Sequence, residues 1–158
     1  MTSGDISRNG PSAATQSAAT DAATLMTGAR RAALATLDRT SGHPYVSLVT
    51  IAVDANGSPL MLLSRLAKHT QNLEADPRAS LLFEPASATG SDPLASARVT
   101  VMGVASPTPS PTARAKFLQH HPDAEMYASF GDFAFYALTL QSAHFIGGFG
   151  RIIEIPAP

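Results

Sequence analysis

The sequence predicts a mainly β fold in which six or seven antiparallel strands form a small closed or partly closed barrel, with two or three short helices attached. Short runs of apolar residues are separated by hairpin-length connections that contain Gly, Asn and Pro. A parallel α/β sheet would need a helix between successive strands, and most of these connections are too short to hold one. The 158 residues, 44% of them hydrophobic, are enough for one domain and hardly for two.

The N-terminal segment, residues 1–22, is predicted to be a disordered tail. It consists almost entirely of Ala, Ser, Thr, Gly and Asn, so it offers too little apolar surface to offset the entropy lost on ordering. A helix is expected to follow around residues 24–31. Residues 23–158 are predicted to form a single domain.

Alternating side chains and turn residues predict the first three strands. Residues 33–37 and 44–53 are expected to pair through a turn that contains Gly42. Asn56 and Gly57 supply the positive φ angles that a tight hairpin needs, so residues 59–63 are the returning strand.

The strand over residues 44–53 is apolar on both faces. Val46, Leu48 and Ala52 lie on one face, and Tyr45, Val49, Ile51 and Val53 lie on the other. A strand with two apolar faces is covered on both. We therefore expect the barrel interior on one side and a helix or a second subunit on the other.

The rest of the chain is predicted to alternate between strands and short helices. Helices are expected over residues 67–75, 112–120 and 123–130, and strands over residues 79–83, 98–104, 133–140 and 143–155. Asp76 ends the first of these helices, because the residue before a proline avoids the helical region. Residues 85–96, rich in Pro, Ser, Gly and Ala, are expected to be a mobile loop.

Composition excludes several classes of protein. The 11 basic and 12 acidic residues give a net charge of −1, which provides no electrostatic basis for binding nucleic acid. The absence of cysteine excludes disulfides, iron–sulfur clusters and thiolate zinc sites. No apolar run is long enough to span a membrane, and no secretory signal is evident at the N-terminus, so a cytoplasmic location is expected. Charged residues are only 15% of the chain, which suggests that a partner covers part of its surface.

Residues 64–73 (SRLAKHTQNL) carry the chemistry that is easiest to interpret. They concentrate hydroxyl, cationic and amide side chains between the end of a strand and the start of a helix. Backbone N–H groups without partners and the positive end of the helix dipole meet at such a junction, where a phosphate is well bound. The simpler alternative is a solvated helix start in which Ser64 or Thr70 serves as a cap.

A second candidate is the glycine-rich segment over residues 144–152. Gly147, Gly148 and Gly150 weaken a strand and indicate either close approach by a ligand or a kink at a barrel corner. No helix follows it, so it does not fit a dinucleotide-binding fingerprint.

Four segments, in order, resemble one known family. They are residues 45–49 (YVSLV), 64–73, 76–83 (DPRASLLF) and 98–103 (RVTVMG). Over about residues 25–155 the chain is similar to the FMN-binding split barrels related to pyridoxamine 5′-phosphate oxidase. The similarity is greatest to the haem-utilisation (HugZ-like) branch, whose pattern S-x-L-A-x-H-T-x-N-L also occurs here.

The resemblance implies an antiparallel split barrel of six or seven strands with Greek-key-like connections, which forms a homodimer. It implies FMN at the subunit interface and a flavin-dependent oxidoreductase acting on a small substrate. It assigns three sets of residues to the cofactor. They are Ser47, Leu48, Val49 and Thr50 beside the flavin, largely through backbone groups, Ser64, Lys68, His69 and Thr70 at the phosphate, and Asn72 and Arg98 as further contacts.

Departures from the family pattern leave alternatives open. The substrate-binding Arg and the C-terminal signature of the vitamin B6 oxidases are absent, which disfavours oxidation of pyridoxine phosphate. Haem binding or utilisation is the first alternative, with His144 as a candidate iron ligand. A non-catalytic flavin carrier or sensor is the second. No catalytic residue and no other metal ligand is predicted.

Overall fold

A computed structural model describes residues 10–85 and 92–156 of the chain. The helices are α1 (Ala13–Gly28), α2 (Lys68–Ala75), α3 (Pro111–His120) and α4 (Glu125–Ala128). The strands are β1 (Arg31–Leu37), β2 (Pro44–Thr50), β3 (Ala52–Val53), β4 (Pro59–Ser64), β5 (Arg78–Phe83), β6 (Ala97–Pro107), β7 (Phe133–Gly147) and β8 (Ile152–Pro156). The predicted class, mainly antiparallel β with small helices, is confirmed.

All eight strands belong to one antiparallel sheet, and its order explains the barrel. The order is β2-β1-β5-β6-β7-β4-β3, with β8 also paired to β7. The two strands at the ends of this order, β2 and β3, are separated in the chain by Ile51 alone. The sheet must therefore curl until its first and last strands meet, which gives a half-barrel around a single core.

The core inside the barrel comes from alternate residues of the strands. Leu34, Leu81, Val101 and Leu138 are fully buried there, in the spacing that a pleated strand imposes. A smaller apolar cluster lies outside the barrel, where Phe117 of α3 packs against β3 and β4. Consequently β4, and not the 44–53 segment, is the strand buried on both faces.

The expectation for the N-terminal region is wrong over residues 13–22. These residues form the first part of α1, which begins at Ala13 and packs on β6, β7 and β8. Ala18, Ala22 and Met26, spaced four residues apart, form the buried stripe of this helix. Alanine has the highest helix propensity and lets a helix approach the sheet closely, so a small-residue segment can order here. Residues 1–9 lie outside the described residues.

Deleting residues 1–22 should therefore lower the melting temperature by at least about 5 °C, since it uncovers core otherwise shielded by Ala18 and Ala22. It also removes the ion pair of Asp21 with Arg151, at 2.8 Å. Thermal unfolding followed by circular dichroism measures the change. Deleting only residues 1–9 keeps α1 whole and serves as the control. Equal melting temperatures for the two truncations would show that residues 10–22, which include the first part of α1, contribute nothing to stability.

The C-terminal strands also differ from the expectation. One 15-residue strand, β7, replaces the predicted break near residue 141, and the chain turns at Gly148 and Gly150 into β8. Both glycines have positive φ, at 90° and 81°, and Gly147 N–H donates to the carbonyl of Arg151 at 2.8 Å. The glycine-rich segment is thus a hairpin turn.

The convex side of the sheet carries a row of exposed apolar side chains, called here the outer face. Cross-strand pairing aligns Leu48 with Ala33 and Leu82, and Val46 with Ala35, in neighbouring rows. The large apolar members of the outer face are Val46, Leu48, Leu82, Met102 and Ile152. Val46 is 63% and Leu48 67% exposed, so no part of the described chain covers the outer side of β2.

Candidate functional site

Strand β2 presents the four predicted flavin contacts to opposite sides of the sheet. Val49 points into the core, and Ser47 lies on the same side, where it reaches the start of α2. Leu48 and Thr50 are exposed on the other side. The structure therefore brings only some of these four side chains toward the helix that was predicted to bind phosphate.

A groove of about 350 Å³ lies where β2, β4, α2 and α4 meet. Its walls are mainly aliphatic and aromatic, and polar atoms come from a few side chains. The groove is lined by Leu48, Val49, Thr50, Leu62, Leu63, Ser64, Ala67, His69, Tyr127 and Phe133. Five of the ten predicted cofactor residues are in this lining. The other five, which lie outside it, are Ser47, Lys68, Thr70, Asn72 and Arg98.

The start of α2 has no side-chain cap. Ala67 is the N-cap residue and has no side-chain acceptor to offer. The N–H groups of Thr70 and Gln71 both donate to the carbonyl of Ala67, at 3.1 and 3.2 Å. At the first two helical positions, Lys68 and His69, the N–H groups have no intrahelical acceptor. Together with the helix dipole, they can attract an anion.

The side chain of Lys68 is already engaged. Its Nζ lies 2.7 Å from the Asp38 carboxylate and 5.0 Å from the ring centroid of Tyr45. The hydrogen bond from Lys68 holds the pKa of Asp38 well below its usual range, and the same contact raises the pKa of Lys68. The Lys68 side chain is 55% exposed, whereas that of Asp38 is 11% exposed. Lys68 thereby fastens the β1–β2 turn to α2.

Ser64 is engaged in a similar way. Its hydroxyl donates to the Asp132 carboxylate at 2.9 Å and accepts from the N–H of Leu66 at 3.2 Å. The N–H of Arg65 donates to the carbonyl of Asp132 at 2.7 Å. Ser64 thus joins the end of β4 to the turn before β7. Because its one hydroxyl proton is used, it has none to donate to a phosphate in this arrangement.

His69 contributes an imidazole to the lining of the groove. Its Nδ1 lies 3.1 Å from Oγ of Ser47, and the ring is partly buried. Burial lowers the pKa of His69, which favours the neutral imidazole. A neutral imidazole in an apolar groove can serve as a metal ligand or as a proton acceptor.

Thr70 and Asn72 lie under α2 and are both fully buried. The amide of Asn72 donates to the hydroxyl of Thr36 at 3.0 Å, and its oxygen accepts from the N–H of Arg39 at 3.0 Å. These bonds attach α2 to β1 and to the turn that follows it. The Thr70 hydroxyl is the one buried side-chain oxygen within residues 10–85 and 92–156 that has no hydrogen-bond partner.

Two predicted residues lie far from the groove within one chain. Arg98 is on β6, three strands from β2, and its guanidinium donates to the carbonyls of Leu94 and Ser96 at 3.1 and 3.4 Å. His144 is one strand further, on the outer face, where its Nδ1 pairs with Glu154. Along β7, His144 is 11 residues from Phe133 of the groove lining, which is roughly 35 Å at ~3.3 Å per residue.

Four residues near the site were not predicted from the sequence: two aromatic residues in the groove wall and two carboxylates that bind polar groups of the 64–73 segment. Tyr127 and Phe133 complete the groove, and Asp38 and Asp132 pair with the polar groups of the 64–73 segment. The aromatic side chains around residues 127–133 were a usable signal. The pairing of the carboxylates depends on tertiary contacts between residues far apart in the chain.

The described residues contain neither a metal centre nor a membrane-spanning helix. Within residues 10–85 and 92–156 no three His, Asp or Glu side chains are placed to hold a metal ion together. No helix in this part of the chain has the length and apolar character to cross a membrane.

Several known proteins are similar to this chain in sequence or in fold. The chain is 36% identical over 112 residues to heme oxygenase HOZ from the chloroplast of Arabidopsis thaliana. That match covers 68% of this chain but 33% of HOZ, so the chain spans about a third of this curated relative.

Solved structures give the same fold. A heme binding protein from Mycobacterium smegmatis is 35% identical with a TM-score of 0.80, and the match covers 94% of this chain and 60% of that one. HutZ, the heme storage protein of Vibrio cholerae, has a TM-score of 0.61 over 73% of this chain and 84% of that one. At 23% identity, HutZ supports the fold alone.

A family profile described as "CREG, beta-barrel" matches residues 13–158, which include α1 and every strand. The match agrees with the single curled sheet and with the split-barrel fold that the sequence resembles. The chain belongs to the CREG beta-barrel family.

Proposed function

We propose that this protein binds a haem-type tetrapyrrole, with part of the planar ring in the groove between β2, β4, α2 and α4. The observation that carries the proposal is His69, a partly buried imidazole whose pKa is lowered, set among the apolar walls of the groove. Haem needs such a combination, because apolar surfaces pack on the macrocycle and an imidazole binds its iron. Two relatives at 35% and 36% identity are named for heme, which supports this choice of ligand.

A second copy of the chain is proposed to complete the site. The groove holds about 350 Å³, which is too little to enclose a tetrapyrrole, and it is open at β2. Leu48 both lines the groove and belongs to the outer face. A homodimer formed through the outer face would cover its exposed apolar side chains and place a second wall beside the groove.

FMN is a second candidate, and the start of α2 favours it. The N–H groups of Lys68 and His69 point from an uncapped helix end and fit a phosphate. The side chains fit less well, since Ser64 and Lys68 are engaged by the carboxylates of Asp132 and Asp38. A bound flavin would supply hydride or electron transfer, and the protein would be an oxidoreductase acting on a small substrate.

Titration of the purified protein with hemin, FMN and riboflavin tests these candidates. Hemin should saturate at one per chain and shift its Soret band. A Thr50→Trp substitution should weaken hemin binding at least about tenfold by filling the groove, whereas Thr112→Trp, at an exposed position on α3, should not. If hemin fails to saturate, the haem proposal is wrong.

The same titration decides for or against the flavin. If FMN is the ligand, Lys68→Ala should weaken FMN binding roughly 10- to 150-fold and leave riboflavin binding unchanged, because riboflavin has no phosphate. Equal affinity of wild type and Lys68→Ala for FMN would show that the Lys68 side chain does not hold the phosphate, and equal affinity of the wild type for FMN and riboflavin would remove the phosphate site at α2.

A further inference from the structure

At the groove, the side chains of Ser47 and His69 form a hydrogen-bonded pair. His69 occupies the second position of α2, so the helix backbone fixes where its ring can lie. Its Nδ1 is 3.1 Å from Oγ of Ser47 on β2. Within residues 10–85 and 92–156, Nε2 has no hydrogen-bond partner, and the ring lines the groove.

This geometry allows two tautomers. If the Ser47 hydroxyl donates to Nδ1, the proton of the neutral ring is on Nε2 and the lone pair is not available in the groove. If Nδ1–H donates to Oγ of Ser47, the Nε2 lone pair is exposed to the groove. A metal at Nε2 selects the second arrangement, and a hydrogen bond at the other ring nitrogen orients the imidazole and makes it more basic.

We infer that His69 is the axial ligand of the haem iron through Nε2, and that Ser47 is its positioning residue, which accepts a hydrogen bond from Nδ1. The inference rests on the proposed haem-binding function. It differs from the prediction made from the sequence, in which His69 contacted a flavin phosphate and His144 was the candidate iron ligand.

The other four of the five histidines are less suited to this role. His121 is buried with both ring nitrogens engaged, Nε2 at 2.7 Å from the carbonyl of Ile51 and Nδ1 facing Arg30 at 3.5 Å. Nε2 of His120 lies 3.1 Å from the carbonyl of Ala29. His43 is exposed in the β1–β2 turn, and His144 pairs with Glu154 on the outer face.

The 158-residue chain loaded with hemin provides the test. Wild type should show the Soret band of a histidine-ligated haem, and its ferrous form should show an iron–histidine stretching band by resonance Raman. His69→Ala should lose both signals, and added imidazole should restore the Soret position, which also shows that the variant is folded. His144→Ala is the matched control and should keep both signals.

Ser47→Ala separates positioning from a structural role. This variant should still ligate iron through histidine, but its iron–histidine band should shift to lower frequency and its hemin affinity should fall about tenfold. Ser47→Thr keeps a hydroxyl and should restore the band. A purely structural role would change affinity and leave the frequency unchanged.

The outcomes distinguish the two claims. If wild type binds no hemin, the proposed function fails. If wild type binds hemin and His69→Ala retains the histidine-ligated spectrum, or His144→Ala loses it, the function stands and the assignment of His69 is overturned. An unchanged iron–histidine frequency in Ser47→Ala overturns the role of Ser47 alone.

Discussion

Replacing Gly103 with Ala is expected to lower the free energy of unfolding by at least about 3 kcal/mol. Gly103 lies at the irregularity in the β6–β7 pairing, where Met102 faces Ser142 and Gly103 faces Leu140. A Cβ built on Gly103 would lie 2.0 Å from the carbonyl oxygen of Thr139. Since the obstacle is backbone and not a flexible side chain, the two strands would have to separate.

Gly131→Ala is the control for this prediction, because nothing lies within 4 Å of a Cβ at position 131. It should change the free energy of unfolding by less than about 0.5 kcal/mol. Urea denaturation of both variants gives the comparison. A Gly103→Ala protein as stable as wild type would mean that β6 and β7 are not as close there as the structure describes.

The second large effect concerns self-association. Val46→Arg should turn the proposed dimer into a monomer at micromolar concentration. Val46 is 63% exposed on β2 and lies on the outer face but not among the groove residues. In a twofold interface each substitution introduces two unpaired charges into apolar contacts, which should weaken association at least about 100-fold. Sedimentation velocity measures the change in mass.

Met126→Arg is the matched control. Met126 is also apolar and 80% exposed, but it lies on α4 and belongs neither to the outer face nor to the lining of the groove. This variant should sediment as wild type does. A wild-type chain that sediments as a monomer would contradict the dimer itself, and dissociation of Met126→Arg but not Val46→Arg would place the interface elsewhere.

Local patterns in the sequence were enough to predict most of the sheet. Asn56 and Gly57 correctly marked the β3–β4 hairpin, where Gly57 has a φ of 83° and the N–H of Asp54 donates to the carbonyl of Ser58 at 3.0 Å. Alternation located the strands, and the short connections between them indicated an antiparallel barrel. Each of these signals acts over a few residues, which is why it can be seen without a structure.

Two errors in the predicted fold arose from side chains that are individually weak signals. Ala18 and Ala22 bury so little surface each that the segment resembled a tail, although together they let α1 lie close on the sheet. Gln141 and Ser142 are polar and fall between the two predicted strands, but β7 continues through them and through the irregularity opposite Gly103. In both cases the segment is ordered by contacts with strands that are distant in the sequence: β6, β7 and β8 for α1, and β6 for β7.

The sequence predicted the polar residues of the candidate site but not the carboxylates that pair with them. The 64–73 segment does mark the helix start beside the groove, as the concentration of Lys68, His69 and Ser64 suggested. Lys68 pairs with Asp38, and Ser64 donates a hydrogen bond to Asp132. Both carboxylates are distant in the chain, so no local pattern predicts these contacts. The roles of Ser47 and His69 depend on a contact across 22 residues of sequence.

The alternation along β2 has a thermodynamic consequence. Ser47 reaches inward to His69, Val46 points outward, and Leu48 takes part in both the groove and the outer face. A ligand in the groove and a neighbour on the outer face would therefore act on the same short strand, and linkage requires their effects to be reciprocal. A ligand that binds the paired form tenfold more tightly than the single chain must strengthen pairing by the same factor. Dilution alone would then release ligand, so the amount of this protein in a cell would itself set how much of it is loaded.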